Sequence, residues 1–361
     1  MKRLPDMAAR DLEGLSRIFR YYAQVETPRM GSSVYTDYCF GVADDSRLLE
    51  LCSQIDQGQP APNILFAAVQ DLLMKDPTAG PEAEALSVFY PAISGQPIPD
   101  GSAWQAFRAF CQVYADQLGP NLRSGRTQTC VVNRCAIVLP GLAALPSVEA
   151  NEGRVALLEI GPSAGLNLRL DRYRYEYGNG ASWGDPAARP KLICETRGDL
   201  APPMPGTLEI VARRGLDLNR IDLENPSDIR WQRALIWPEH SDRVQTMDEA
   251  FAHAKAVPVE IEQGDATCEI AEHVARLPSD AARVLFATHV FYQIPRHGRR
   301  QIIEGIASAS REQPVDFIRM ESSGEGDSRV EWFSFAGGEQ VGHTILARSN
   351  SHGRWIEWGA Q

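Results

Sequence analysis

The sequence predicts an α/β protein of two domains: an all-helical domain over residues 1–150 and a domain with a mostly parallel sheet over residues 151–361. A length of 361 residues favours two domains over one. Apolar residues recur at helical spacing in the first part, whereas β-rich apolar runs alternate with helical patterns from Val155 onward. Such alternation is typical of parallel strands joined by helices. We place the boundary at the polar segment NEGR, which begins at Asn151.

The helices of the first domain are predicted from amphipathic patterns and their end signals. Asp44 and Asp45 precede one apolar stripe as capping residues. Gly119-Pro120 is expected to end the fourth helix, and Pro140-Gly141 is expected to break the fifth. The predicted helices occupy residues 9–25, 44–55, 62–76, 103–122 and 134–146.

The second domain is predicted to hold eight strands and three helices. Its closing strands have no helices between them, which predicts antiparallel strands at one edge of the sheet. The segment YRYEYGNGASWGDP (173–186) predicts a hairpin and loop inserted after the first strand. The strands are predicted at 155–160, 206–215, 258–266, 282–291, 315–322, 329–335, 342–350 and 354–359, and the helices at 247–257, 269–277 and 298–310.

Composition indicates a soluble cytoplasmic protein with a small molecule as its partner. No apolar run reaches roughly 18 residues, and the N-terminus lacks the apolar core of a signal peptide. A net charge of −11 disfavours nucleic acid, since the one dense basic run, Arg296–Arg300, is short. The seven cysteines include no C-x-x-C pair, so we expect reduced, mostly buried thiols and no metal site.

The stretch ALLEIGPSAGLN (156–167) predicts a buried strand, a glycine-rich turn and the start of a helix. Its GPSAG segment fits G-x-S-x-G, the nucleophile turn of serine hydrolases, with Ser163 as nucleophile. Asp217 or Asp265 with His289 or His343 would then complete the triad. Against this interpretation, the preceding residues look helical rather than β, and Pro162 restricts the turn beside the serine.

The same turn also fits a nucleotide-binding pattern. Small residues let a ligand pass close to the backbone, and Gly161, Ser163 and Gly165 are small. The pattern D/E-x-G-x-G-x-G of S-adenosylmethionine-dependent methyltransferases matches at Glu159, Gly161 and Gly165, with Ser163 at the middle glycine. The acid of that pattern helps to hold the amino group of the methionine part, and Asn167 completes the predicted turn. A glycine-rich turn without any ligand is the alternative.

Further candidates follow the later strands. Asp217 follows the second strand, where an acid takes ribose hydroxyls. Asp265 follows the third strand, between the small residues Gly264 and Ala266, where an acid takes the adenine amino group. Each aspartate is equally explained as a turn or helix-capping residue. His289 and Tyr292, at the end of the fourth strand, are the catalytic candidates on the acceptor side, although a lone histidine there is more often structural.

Over about residues 150–361 the chain resembles class I methyltransferases, and the whole chain is similar to an uncharacterised bacterial domain-of-unknown-function family placed near that superfamily. The segments that carry this resemblance are VYTDYCFGVADDSRLLELC, NILFAAVQDLLM, RTQTCVVNRCAIVLPGLA, LLEIGPSAGLNLRLDRYRYEYG and GLDLNRIDL…ALIWPE. The chain departs from the methyltransferase pattern at Ser163 and in the long path from Gly165 to the second strand.

The resemblance implies a Rossmann-like sheet that binds S-adenosylmethionine and transfers its methyl group to a small-molecule acceptor. The helical domain would then form a lid or the acceptor side. A non-catalytic protein that binds S-adenosylmethionine or S-adenosylhomocysteine is the second hypothesis, and the Ser163 hydrolase is the third.

Overall fold

A computed structural model describes residues 11–254, 256–324 and 326–360, and within these ranges the protein is a mixed α/β fold with many helices and one large sheet. The α-helices are α1 (Leu12–Tyr21), α2 (Thr27–Arg29), α3 (Ser33–Ala43), α4 (Ser46–Cys52), α5 (Ala61–Lys75), α6 (Pro81–Ser87), α7 (Pro91–Ser94), α8 (Trp104–Val113), α9 (Ala115–Ser124), α10 (Cys135–Ala143), α11 (Pro146–Ala150), α12 (Pro226–Ala234), α13 (Ser241–Ala254), α14 (Ala266–Ala275) and α15 (Arg296–Ala309). Single 3₁₀ or π turns lie at Tyr22–Glu26, Val132–Arg134, Asn167–Arg172, Pro238–His240 and Phe291–Gln293.

Eleven strands of the described chain form the sheet, in the order β3-β2-β4-β11-β10-β9-β8-β7-β1-β5-β6. Most neighbouring pairs are parallel; the antiparallel pairs are β2 with β3, β8 with β9, β9 with β10 and β10 with β11. The strands are β1 (Arg154–Ile160), β2 (Arg174–Tyr177), β3 (Ser182–Trp183), β4 (Lys191–Arg197), β5 (Glu209–Asp217), β6 (Glu260–Gln263), β7 (Ala282–Thr288), β8 (Val315–Ser322), β9 (Ser328–Ala336), β10 (Glu339–Ser349) and β11 (Trp355–Trp358).

The chain divides into two compact units. The helical unit comprises the first described residues up to Thr129 together with Glu224–Gln245, and the sheet unit comprises Cys130–Leu223 together with the residues from Thr246 onward. The predicted boundary at residue 151 precedes β1 by three residues, whereas α10 and α11 belong to the sheet unit and α12 to the helical unit. The chain therefore enters the helical unit twice.

The helical unit has an aromatic core. The ring of Tyr35 lies 4.4 Å from that of Phe66, and the ring of Tyr38 stacks 4.0 Å from that of Phe107. Asp45 caps α4 as predicted: its Oδ1 accepts hydrogen bonds from the first backbone N–H groups of the helix, and its Oδ2 accepts one from Arg108 Nε at 2.6 Å. These helices are too short to be stable on their own, so caps and packing stabilise them.

Five strands at one end of the sheet are mutually parallel, in the order β6-β5-β1-β7-β8 with β6 at the edge. Ala156 and Leu158 of β1 pack in one core with residues of α14 and α15. On the opposite face, α10 lies close enough that a side chain at Gly141 would contact Ile318 of β8. After β1 the chain first forms β2, β3 and β4 at the far end of the sheet, then adds β5 and β6 on one side of β1, and then β7 and β8 on its other side. The sheet therefore has a topological switch point between β1 and β7.

The two prolines expected to end helices lie inside them. Pro120 is within α9 and Pro140 within α10. The predicted fourth helix is interrupted at Tyr114 instead, where φ is −103° and ψ is 18°. A proline removes one backbone donor from a helix, and burial of almost all of α10 outweighs that loss.

Three further details differ from the sequence prediction. β4 was not predicted, and the antiparallel strands β9 and β10 lie inside the sheet rather than at its edge. The helix expected after the glycine-rich turn is only a 3₁₀ segment, kinked at Arg169, whose guanidinium donates to the carbonyl oxygens of Gly165 and Val257. In contrast to these three details, the predicted hairpin in residues 173–186 is confirmed as the pair β2 and β3.

Candidate functional site

The glycine-rich turn after β1 has a left-handed backbone at three positions. The φ angles are +72° at Gly161, +56° at Ser163 and +65° at Gly165. A Cβ on Gly161 would lie 2.6 Å from Val290, and one on Gly165 would lie 2.8 Å from Ile261. Both glycines are therefore required by the protein's own packing, whether or not a ligand passes over the turn.

Glu159 is buried near the carboxyl end of β1, with 1% of its surface exposed. Its Oε1 accepts a hydrogen bond from Asn167 Nδ2 at 3.1 Å, while its Oε2 has no hydrogen-bond partner among the described residues. Asn167 is oriented in turn by the Cys135 thiol, which lies 3.3 Å from its Oδ1. Burial raises the pKa of Glu159 to about 8, with Asp217 adding to the shift and Arg134 opposing it. A buried carboxyl with one unsatisfied oxygen is suited to receive a donor or a cation.

Asp217, the last residue of β5, holds the turn in place. Its Oδ2 accepts a hydrogen bond from the Ser163 N–H at 2.8 Å, and its Oδ1 accepts one from the Asn219 N–H at 2.9 Å. The backbone of Asp217 also accepts from the Gly264 N–H at 2.9 Å, which joins the ends of β5 and β6. The predicted acid is thus beside the turn, where it satisfies a backbone donor of the strained serine.

Asp265 caps α14. Its Oδ1 accepts from the Thr267 N–H at 2.9 Å, and Glu269 Oε1 accepts from the Asp265 N–H at 2.7 Å, so two side chains satisfy backbone donors at the start of the helix. A Cβ on Gly264 would lie 2.6 Å from the carboxylate of Glu269, and Ala266 is buried in the first turn. The structure therefore gives these residues a helix-capping arrangement at the end of β6.

His289 follows β7 with φ +59°, and its backbone N–H donates to the Met320 carbonyl at 2.8 Å. Its Nε2 lies 2.9 Å from Ser328 Oγ. Burial, reinforced by Arg134, lowers the pKa of His289 to about 3, so the imidazole is neutral throughout the physiological range. Tyr292 is exposed, with its ring 6.4 Å from that of His289.

Two residues that the sequence analysis did not select organise this loop. Glu321 of β8 accepts the backbone N–H groups of Val290 and Phe291, both at 2.7 Å, and that of Tyr292 at 3.3 Å. Burial raises the pKa of Glu321. The second residue is Arg134, which is buried and donates to the backbone carbonyl oxygens of Thr288 and Ser351.

Burial lowers the pKa of Arg134 to about 10, while Tyr292, Glu321 and Glu159 favour its charged form. The guanidinium is therefore within electrostatic reach of both the β1 carboxyl and the loop after β7. No periodic pattern in the sequence marks this role, because it depends on contacts between residues far apart in the chain.

The hydrolase arrangement is not assembled. The Ser163 Oγ has no hydrogen-bond partner among the described residues. His289 faces Ser328, whereas His343 Nε2 contacts Glu331 Oε1 at 3.0 Å. The thiol nearest the turn is that of Cys130, which faces Ser163 and Ala164; burial raises its pKa to about 11, so it remains protonated.

Across residues 11–254, 256–324 and 326–360, no group of three His, Cys, Asp or Glu side chains is arranged to hold a metal ion.

Within the same described ranges, no helix combines the length and apolar character needed to cross a membrane.

The fold is that of a mixed α/β protein with a large, mostly parallel sheet. Its candidate site holds the buried acid Glu159 and the strained turn at Ser163, beside the switch point between β1 and β7. The chain belongs to the bacterial family described as an uncharacterized protein conserved in bacteria (DUF2332), which matches residues 16–358. The predicted membership of a bacterial domain-of-unknown-function family is thereby confirmed. Comparison with curated proteins and with solved structures gives no match.

Proposed function

We propose that this protein binds S-adenosylmethionine at the carboxyl end of β1 and transfers its methyl group to a small molecule. The single observation that carries the proposal is Glu159 Oε2, a buried carboxyl oxygen without a hydrogen-bond partner among the described residues. An ammonium group supplies both the missing donor and a compensating charge. The amino group of S-adenosylmethionine fits this requirement.

Strand order supports the same location. In open α/β sheets, ligands bind outside the carboxyl ends of the strands at the switch point, which here lies between β1 and β7. The proposal interprets the five parallel strands β6-β5-β1-β7-β8 as a Rossmann-like sheet. The capped helix α14 and the braced turn lie at the same ends of the strands.

Each of three acidic residues would bind a different part of the cofactor. Glu159 would hold the amino group, and Asn167 keeps its carboxyl oriented. Asp217 would take the ribose hydroxyls, because a carboxylate can accept from two adjacent hydroxyls. Asp265 would take the adenine amino group while it caps α14, and Gly264 and Ala266 are its small neighbours in the chain.

The bound cofactor supplies a methyl group on a sulfonium, which is already a good leaving group. The protein's task is then to align the acceptor and exclude water, and no strong base is required when the acceptor is itself nucleophilic. The loop after β7, fixed by Glu321, is the part of the chain that would position the acceptor through His289 and Tyr292.

Calorimetric titration with S-adenosylhomocysteine tests the proposal. Glu159→Gln should weaken binding roughly ten- to a hundredfold, as expected for the loss of a charge-assisted hydrogen bond. Glu339→Gln, an exposed glutamate on β10, is the matched control and should bind like the parent. Absence of binding at millimolar ligand would refute the proposal, as would equal affinity of Glu159→Gln and the parent.

The second candidate is a protein that binds the same ligand without transferring a methyl group. The low pKa of His289 and its contact with Ser328 favour this candidate, because they leave the imidazole a weak base. Incubation of the protein with methyl-tritiated S-adenosylmethionine and a bacterial small-molecule extract separates the two. Transfer of tritium into the extract by the parent but not by Glu159→Gln indicates an enzyme, and binding without transfer indicates the second candidate.

A further inference from the structure

A cavity of about 240 Å³ lies in the sheet unit beside the loop after β7. Phe291 and Tyr292 of that loop form one wall, and residues from α15, β8 and β9 form the others. Three arginines line it: Arg299, Arg319 and Arg329. The sequence analysis selected none of them, since they are spread over three separate elements.

The two carboxylates in the cavity wall are already engaged. Glu331 accepts hydrogen bonds from Arg319 Nη2 at 2.6 Å and Nε at 3.1 Å, and its other oxygen contacts His343. Glu321 accepts the three backbone N–H groups of the loop. Glu331 therefore compensates the charge of Arg319, while the carboxylate of Glu321 is held by the loop N–H groups.

The other two arginines have no carboxylate partner among the described residues. Arg299 donates only to the backbone carbonyl oxygens of Ile294 and Tyr292, at 2.7 and 3.2 Å. The side chain of Arg329, an exposed residue, makes no hydrogen bond or ion pair with any described residue. Its side chain lies on the same face of β9 as Glu331, two residues further along the strand. Arg299 and Arg329 thus line one cavity without a side-chain ion pair among the described residues, and Glu321, the residue across the sheet from Arg329, already accepts the loop N–H groups.

The cavity adjoins the proposed cofactor site through shared residues. Glu321 fixes Val290, which in turn packs where a side chain on Gly161 would lie. Arg134 is within electrostatic reach of Glu159 on one side and of Glu321 and Tyr292 on the other. A ligand in the cavity would therefore lie beside the loop that carries the acceptor-side residues.

We propose that this cavity binds the oxyanion of a small organic acid, which Arg329 and Arg299 recognise by charge-assisted hydrogen bonds, and that this acid is the methyl acceptor, one of whose oxygens would form a bond to the methyl carbon as the methyl–sulfur bond breaks, giving a methyl ester and S-adenosylhomocysteine. The second part of the statement rests on the proposed function; the anion site itself does not. Guanidinium groups bind carboxylates in preference to neutral amides of the same shape, because the planar fork matches two charged oxygens. Tyr292, the exposed aromatic residue in the cavity wall, gives the apolar part of such an acid a surface to contact.

The test uses benzoate and benzamide, which share a ring and differ in charge. Ligand-observed nuclear magnetic resonance on the full chain should give a millimolar dissociation constant for benzoate, and benzamide should bind at least about tenfold more weakly. Arg329→Gln should weaken benzoate binding about tenfold. Arg300→Gln removes an exposed charge from α15 outside the cavity and should leave binding unchanged. Arg299→Gln should also weaken benzoate binding, which tests the second arginine independently.

Failure of benzoate to bind the parent would overturn the inference, as would benzoate affinity in both Arg329→Gln and Arg299→Gln equal to that of the parent. S-adenosylhomocysteine is titrated into the same variants as a separate readout, and Arg329→Gln should bind it like the parent. If S-adenosylhomocysteine fails to bind while benzoate binding keeps its dependence on the two arginines, the proposed function fails and the anion site stands.

Discussion

The carboxyl group of Glu159 makes the stability of this protein dependent on pH in a definite direction. Its pKa is about 8 in the folded state and has its ordinary value of 4.5 in the unfolded chain, so the folded state binds the proton more tightly. This contribution to stability is complete below the ordinary pKa and is lost as the pH rises through about 8.

Glu159→Gln removes that titration and should therefore change the slope of stability against pH. We expect the variant and the parent to have similar free energies of unfolding at about pH 5, and the variant to be more stable by up to a few kcal/mol at about pH 9. Urea unfolding of the variant and the parent, at both pH values and constant ionic strength, measures these free energies. Parallel stability curves for the two proteins would show that Glu159 does not titrate as described.

Proton release provides a second prediction at this residue. An ammonium group beside Glu159 favours the ionised carboxylate, so binding of S-adenosylhomocysteine at about pH 7 should release close to one proton. Titration calorimetry in two buffers of different ionisation enthalpy measures the number. If the Glu159→Gln variant still released a proton on binding, that proton would come from another group.

Ser163 is predicted to be needed for its small size and not for its hydroxyl. Ser163→Ala should keep the affinity for S-adenosylhomocysteine, because the backbone N–H that Asp217 accepts is retained. Both residues have the same difficulty with a φ of +56°, so stability should change little. Covalent labelling of the parent by a fluorophosphonate, absent in Ser163→Ala, would instead support the hydrolase.

Among the secondary-structure elements, α14 connects stability with the proposed ligand. Asp265→Ala should lower the free energy of unfolding by about 1 kcal/mol through loss of the helix cap, whereas Asp265→Asn should keep the cap. Urea unfolding compares the two. If Asp265 also binds adenine, the alanine variant loses affinity for S-adenosylhomocysteine as well; a loss of stability alone would restrict Asp265 to its cap.

The elements that could be predicted from sequence are those whose local pattern agrees with their tertiary role. β1 and β7 are continuous apolar runs, and both are buried throughout or nearly so. β4 also carried a signal, since Leu192 and Cys194 are buried between exposed neighbours, but its short alternation was not recognised. The prolines of α9 and α10 were misjudged because tertiary packing overrides local helix preference there.

The candidate site could be predicted only where it is local in sequence. Glu159, Gly161 and Gly165 lie within seven residues and share a known pattern. Arg134 and Glu321 act through backbone groups more than twenty residues away, and the cavity arginines come from three elements. Such long-range contacts leave no periodic signal in a single sequence.

On the scale of the whole molecule, the proposed ligand should stabilise the folded protein by mass action. At a hundredfold excess over its dissociation constant, S-adenosylhomocysteine should add about 2.7 kcal/mol and raise the melting temperature, if it binds only the folded state. Differential scanning calorimetry measures the shift. Adenosine, which lacks the amino acid part that Glu159 would hold, is the control and should produce a smaller shift at equal concentration. A melting temperature that does not respond to S-adenosylhomocysteine at this excess would contradict the prediction.

The position of β11 between β4 and β10 has a consequence for how the protein folds during its synthesis on the ribosome. β2, β3 and β4 are synthesised long before Trp355–Trp358, the strand that joins them to the rest of the sheet. Until that strand emerges, β4 and β10 each present an unpaired edge, and exposed edges are templates for aggregation. A nascent chain released before Trp355 would therefore carry these two additional open edges, so completion of the sheet depends on the synthesis of β11.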